Sequence, residues 1–192
     1  MTSIRHTNND AVLDAVRACV LAVGVRRTTL TDVARRAGLS RMTLYRRYPD
    51  VDALVRELMT REFGALMQEA REPVGRGRAR NRITSGAVAA VAAVRANALF
   101  RRIMDVDPEL LLPYVIDRLG GTQWMTIEYL TDGIRAGQED GTIRSGDVRA
   151  IAHGALLLIQ PFVYSTKLVA GVLDDDDLDA ELARILDRYL AP

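Results

Sequence analysis

The stretch S40-R-M-T-L-Y-R-R-Y-P49 gathers side chains suited to one kind of chemistry. Arg41, Arg46 and Arg47 carry planar guanidinium forks, and each can grip guanine O6 and N7 with two hydrogen bonds. Met42 can lie against a thymine methyl group. The hydroxyls of Thr43 and Tyr45 can reach phosphate oxygens, contacts that fix position without reading sequence, and a helix start at Ser40 offers free N–H groups to phosphate. Only Leu44 and Tyr48 have the character of core residues. A basic surface helix is ordinarily just solvated, so the weight of this pattern depends on the elements that hold it.

Those elements are visible on both sides. T29-L-T-D32 has the form of a capping box, in which a threonine side chain and an acidic side chain three residues later satisfy the free N–H groups of a helix start. Gly38 can end that helix, because a left-handed backbone costs glycine least. Ser40 can cap the next helix, and Pro49 can end it. Two short helices joined by A37-G-L-S40 have the length and glycine content of a helix-turn-helix. Leu30, Val33, Ala34, Leu39 and Leu44 can lock the pair, with Ala34 and Ala37 small enough for close crossing. Arg41, Met42, Thr43, Tyr45, Arg46 and Arg47 then cover the outward and flanking faces of the second helix, which a DNA major groove is wide enough to admit.

These residues carry a specific resemblance. A preceding helix, T28-T-L-T-D-V-A34, A37-G-L-S40, T43-L-Y45, and Y48-P-D50 followed by A53-L54 occur in the order and spacing of the TetR family of bacterial transcriptional regulators. Residues 10–67 resemble its DNA-binding domain. The later part resembles the family only through all-helical architecture and A136-G-Q-E-D-G141 before a late helix pair. The resemblance implies a cytoplasmic homodimer that binds a near-palindromic duplex DNA operator, usually as a repressor, and is released by a small-molecule effector. It places Arg41, Met42, Thr43, Tyr45, Arg46 and Arg47 on a recognition helix, and Thr29 and Thr31 near phosphate. One departure is Val51, where the family commonly carries a phosphate-reaching lysine; Arg46 or Arg47 could compensate.

The rest of the chain reads as helix. Asp10 can cap a first helix through Val12, Val16, Cys19, Val20 and Val23, with Gly24 as its stop. Asp50 can cap a longer one through Leu54, Leu58, Phe63 and Met67. R71-E-P-V-G-R-G-R-A-R-N-R82 breaks the pattern, and a domain junction is expected near its start. Helices are expected at about 80–98, 99–105 and 108–137. Asp107 should act as a cap before Pro108, Pro113 as a possible second start, and Gly120-Gly121 as a weak point. Asp140-Gly141 reads as a turn. Asp147 should cap a helix that Pro161 interrupts, and D174–L190 reads as a final amphipathic helix. The expected fold is all-α. A helix-turn-helix DNA-binding domain covers 1–50, a connecting helix 51–72, and a ligand-binding and dimerisation domain 73–192.

From the resemblance, candidates for the ligand site are Phe63, Met67, Phe100, Met104, Tyr114, Trp124, Tyr129, His153, Gln160 and Tyr164, a mainly apolar set with a few polar anchors. Aromatic and methionine residues at helical spacing also suit an ordinary core. Ala152, Leu156, Ile159, Leu182, Ile185, Leu186 and Tyr189 form apolar stripes on the last two helices, suited to a four-helix dimer interface or to burial within the chain.

Composition bounds the remaining classes. The 192 residues can bury a substantial core. Residues 1–82 carry 16 arginines against 9 acidic residues, and the remainder is net acidic, so a polyanion partner is expected for the first part only. A lone Cys19 excludes an internal disulfide and points to a reducing compartment. No apolar run is long enough for a membrane span, and MTSIRHTNND is too polar for a signal peptide. With two histidines and no phosphate-binding loop, metal spacing or nucleophile elbow, an enzyme is the weak alternative, and no cofactor or metal is expected. D105-V-D107 and D174–D177 fit helix boundaries and surface charge. A further alternative is a DNA-binding regulator controlled by a protein partner.

Overall fold

The computed structural model describes the backbone of residues 2–71 and 77–192 and the side-chain surroundings of 9–69 and 77–192. The junction expected near the start of the glycine-rich stretch falls partly outside them. All regular elements among the described residues are helical. They are α1 (Thr2–Val23), α2 (Leu30–Arg36), α3 (Arg41–Arg47), α4 (Val51–Arg71), α5 (Ala79–Ala96), α6 (Ala98–Val106), α7 (Leu112–Ile116), α8 (Gly121–Glu139), α9 (Val148–Ile159), α10 (Pro161–Tyr164) and α11 (Asp175–Leu190).

Most boundaries follow from local chemistry. Ser40, Asn97, Asp147 and Asp174 each accept hydrogen bonds from backbone N–H groups at the start of their helices. Asp50 accepts from Ala53 N–H at 2.7 Å and so starts α4. Pro161 divides α9 from α10, because proline has no N–H to continue the ladder. Two expectations need correction. Asp10 is not a cap: α1 begins at Thr2, and Asp10 lies inside it. The helix expected over 108–137 is broken into a 3-10 turn at Pro108–Leu110, then α7 and α8, with Pro113 in the first turn of α7 and Gly120 at the start of α8.

The chain packs as two compact units, residues 1–62 with 97–117, and residues 63–96 with 118–192. In the first, Val12, Val16 and Val20 of α1, Leu30, Val33 and Ala34 of α2, Leu44 of α3, Leu54 and Leu58 of α4, and Leu99 and Ile103 of α6 share one core. The segment containing α6 therefore belongs to the unit built by the first helices, although it is remote in sequence. Asp107 at its end is 1% exposed. Its Oδ2 accepts from Val25 N–H at 2.7 Å, and its Oδ1 lies 3.9 Å from Arg26 Nε. This corrects the surface-charge assignment: the carboxylate makes no capping bond to its own helix and instead satisfies the loop after α1.

In the second unit, α5, α8, α9 and α11 surround a core of Ile83, Val91, Leu130, Ile134, Ile151, Leu182 and Leu186, among others. α5 and α8 approach closely at Gly133, where a Cβ would stand 2.6 Å from the Ile83 side chain. Asp140, beyond the end of α8, accepts from Ala79 N–H at 3.0 Å and so caps α5 from outside it.

Candidate nucleic-acid interface

The helix-turn-helix forms by the local chemistry its sequence carries. The Thr29 hydroxyl accepts from Asp32 N–H at 3.1 Å and donates to the Asp32 carboxylate at 2.6 Å. Gly38 takes φ +67° at the end of α2, where leucine or alanine would be strained. The Ser40 hydroxyl accepts from Thr43 N–H at 3.1 Å and shares a 2.8 Å hydrogen bond with the Thr43 hydroxyl. Leu30, Val33, Ala34 and Leu44 are buried and hold α2 against α3. Leu39 is half-buried against the same core.

The geometry of α3 then sorts its side chains. Successive residues are rotated by about 100° in an α-helix. With Leu44 fully buried at the inner side, Met42 and Arg46 fall closest to the opposite, outward side. Thr43 and Tyr45 flank them, and Arg41 lies about 60° from Leu44. All five are exposed, with Met42 at 76% and Tyr45 at 53%. A large apolar side chain this exposed, ringed by arginines and hydroxyls, has no partner in its own unit's core and suits a polar surface carrying methyl groups. Ser40 and Thr29 are exposed, and Thr31 is half-buried.

Arg47 is placed differently from the other two arginines. It and Arg41 both stand about 60° from Leu44, on opposite sides, but Arg47 is the one beside α1. Its guanidinium donates to Asn9 Oδ1 and lies 5.2 Å above the Tyr48 ring centroid. Tyr48, buried at the end of α3, donates its hydroxyl to the same Asn9 oxygen at 3.1 Å. Asn9 and its partner Glu57 on α4 carried no sequence signal, being ordinary polar residues on helix faces. Val51 is half-buried against the first core, so packing occupies it. Both residues that could replace the missing lysine are exposed, and Arg47 also donates to Asn9.

A model of bacterial regulatory proteins of the tetR family matches residues 12–58, which span these elements. Along almost its whole length the chain is similar to an HTH-type transcriptional regulator of Mycobacterium bovis, 35% identical over 190 residues, 99% of this chain and 98% of that one. The chain belongs to the TetR family. The fold of this TetR-family regulator is similar to that of the R. erythropolis transcriptional repressor QsdR, with a TM-score of 0.73 at 14% identity, covering 99% of this chain and 96% of that one. It is also similar to SmeT in its triclosan complex, with a TM-score of 0.67 at 16% identity over 97% and 92% of the two chains.

The other TetR-family site candidates are placed as follows. Phe100, Met104 and Tyr114 belong to the first unit; Phe63, Met67, Trp124, Tyr129, His153, Gln160 and Tyr164 belong to the second. Phe63 and Phe100 are buried, Trp124 is 49% exposed, and the others are half-buried. In the second unit, Thr126 of α8 lies 3.6 Å from the Met67 sulfur, and Tyr129 donates to the Arg82 carbonyl at 3.3 Å. Burial holds the Tyr164 phenol above its ordinary range. His153 Nδ1 pairs with the Arg149 carbonyl one turn back at 2.7 Å. The expected dimer stripe is packed within the chain at five positions. Ala152, Leu156, Ile159, Leu182 and Leu186 are buried in the chain's own second core, because α9 and α11 turn these stripes toward α5 and α8. Ile185 and Tyr189 are half-buried.

Proposed function

We propose that this TetR-family regulator is a repressor that binds a near-palindromic operator in the cytoplasm as a homodimer and is released by a small-molecule effector. The observation that carries the DNA reading is the outward face of α3. Met42 and Arg46 stand exposed on it, and Leu44 alone anchors the helix from below. Residues 1–50 serve as the DNA-binding domain, 51–72 as the connecting helix and 73–192 as the ligand-binding and dimerisation domain. Within the interface, Met42 and Arg46 read base edges, Tyr45 flanks them, Arg41 lies nearer Leu44, and Thr29, Thr31, Ser40 and Thr43 lie toward phosphates. A two-fold dimer presents two such helices to half-sites roughly one DNA turn apart.

The effector part is supported by the complex of SmeT, a chain of similar fold, with triclosan. An effector releases DNA only when it binds the DNA-incompetent state more tightly. The test is selection of duplexes from a random pool by the purified chain. An inverted repeat should be enriched, with binding that weakens steeply as salt rises. Enrichment of no sequence overturns the specific-repressor reading.

A further inference from the structure

Asn9 of α1 places its side-chain amide against two other helices of the first unit. Its Oδ1 accepts from the Arg47 guanidinium and from the Tyr48 hydroxyl, the latter at 3.1 Å, and its Nδ2 donates to Glu57 of α4 at 2.9 Å. The surroundings fix which way the amide points. Two donors face one side and a carboxylate faces the other, so a flipped amide would set NH2 against a guanidinium and oxygen against oxygen. One amide thus joins α1 to both the end of α3 and the body of α4. The Arg47 charge also lies over the Tyr48 ring at 5.2 Å, which adds a cation–π contact to the same junction.

This arrangement changes what the arginines of α3 are for. Arg46 points away from the core, whereas Arg47, though exposed, is held at the junction. We propose that Asn9 is a positioning residue for DNA recognition: it holds Arg47 and Tyr48 so that Arg47 sets the angle of α3, leaving Met42 and Arg46 to read the groove. The proposal rests on the operator-binding reading above and concerns a residue outside the helix-turn-helix itself.

The test uses duplexes enriched by the wild-type full-length chain. Arg47→Ala should lower affinity on the order of tenfold, the loss of one charge-assisted hydrogen bond. It should leave both the enriched sequence and the salt slope unchanged, because no phosphate contact is lost. Asn9→Ala, which also removes the Tyr48 and Glu57 bonds, should cost at least as much, and the double variant no more than Asn9→Ala alone, since that change already removes the Arg47 bond. Asn9→Asp sets two carboxylates against each other; adding Glu57→Gln supplies a donor again and should restore affinity. Thermal unfolding of each variant accompanies the binding data. An Arg47→Ala change that flattens the salt slope by about 0.9, the loss of one phosphate contact, overturns the proposal. So do a shifted enriched sequence, additive losses in the double variant, and a rescued pair that regains stability without affinity. A wild-type chain that enriches no sequence defeats the operator reading and this inference with it. A wild-type inverted repeat that Arg47→Ala alters defeats only the inference.

Discussion

At the residue scale, position around α3 separates side chains that composition treats as equal. Three arginines lie between positions 41 and 47, yet only Arg47 turns back onto α1. Replacing a base-reading residue is expected to cost about 1–3 kcal/mol at its own base pair and to relax preference there. Met42→Ala and Arg46→Ala should each do so in a duplex selection, whereas Thr43→Ala should weaken all duplexes evenly. Tyr48 offers a separate check. Its phenol is pushed up to about 12, first by burial and then by the neighbouring Glu57 carboxylate. The folded chain therefore favours the protonated phenol. Its contribution to stability is complete below about pH 10 and is lost as the pH rises through about 12. Denaturant unfolding across that range should show a smaller loss of stability in Tyr48→Phe than in the wild type.

At the element scale, α3 is a seven-residue helix held by the Ser40 cap and one buried residue, Leu44. Leu44→Ala removes the only buried residue of α3 and should destabilise the first unit by about 2–5 kcal/mol. Gly38→Ala meets no atom within 4 Å, so its cost is backbone strain alone, roughly 1–2 kcal/mol. The caps at Thr29, Ser40 and Asp147 could be read from sequence because each acts within three or four residues. Asp107 could not. Its motif, Asp-Pro after an apolar run, has the local form of a cap, but its carboxylate serves Val25, far away in the chain. Asp107→Ala leaves the buried Val25 N–H without an acceptor and should cost about 1–3 kcal/mol. Asp107→Asn keeps an acceptor and should cost less. Faster hydrogen exchange at the Val25 amide in Asp107→Ala is the direct measurement.

At the scale of the whole molecule, the chain has two cores, and sequence order does not divide them. Residues 97–117 return to the unit formed by the first helices, so substitutions at Leu99 or Ile103 are expected to act on the DNA-binding helices. The proposed homodimer needs apolar side chains that the second core does not already consume. Leu157 of α9 is 68% exposed, unlike Leu156 beside it. Leu157→Glu is therefore expected to shift light scattering from dimer toward monomer with helix content unchanged. Leu186→Ala, fully buried in α11, should instead lower stability by about 2–5 kcal/mol.

The sequence alone determined the helical class, the paired helices of the DNA-binding unit, their caps and the family. All of these rest on periodicity and hydrogen bonds a few residues apart, which the order of residues encodes directly. Tertiary structure decided which side of α9 and α11 is spent on the core, where the Asp107 carboxylate goes, and which arginine of S40-R-M-T-L-Y-R-R-Y-P49 is held beside α1. Each of these depends on a partner tens of residues away, as with Asn9 for Arg47 and Val25 for Asp107. A local pattern shows which side chains can form hydrogen bonds or be buried, but only packing chooses their partners.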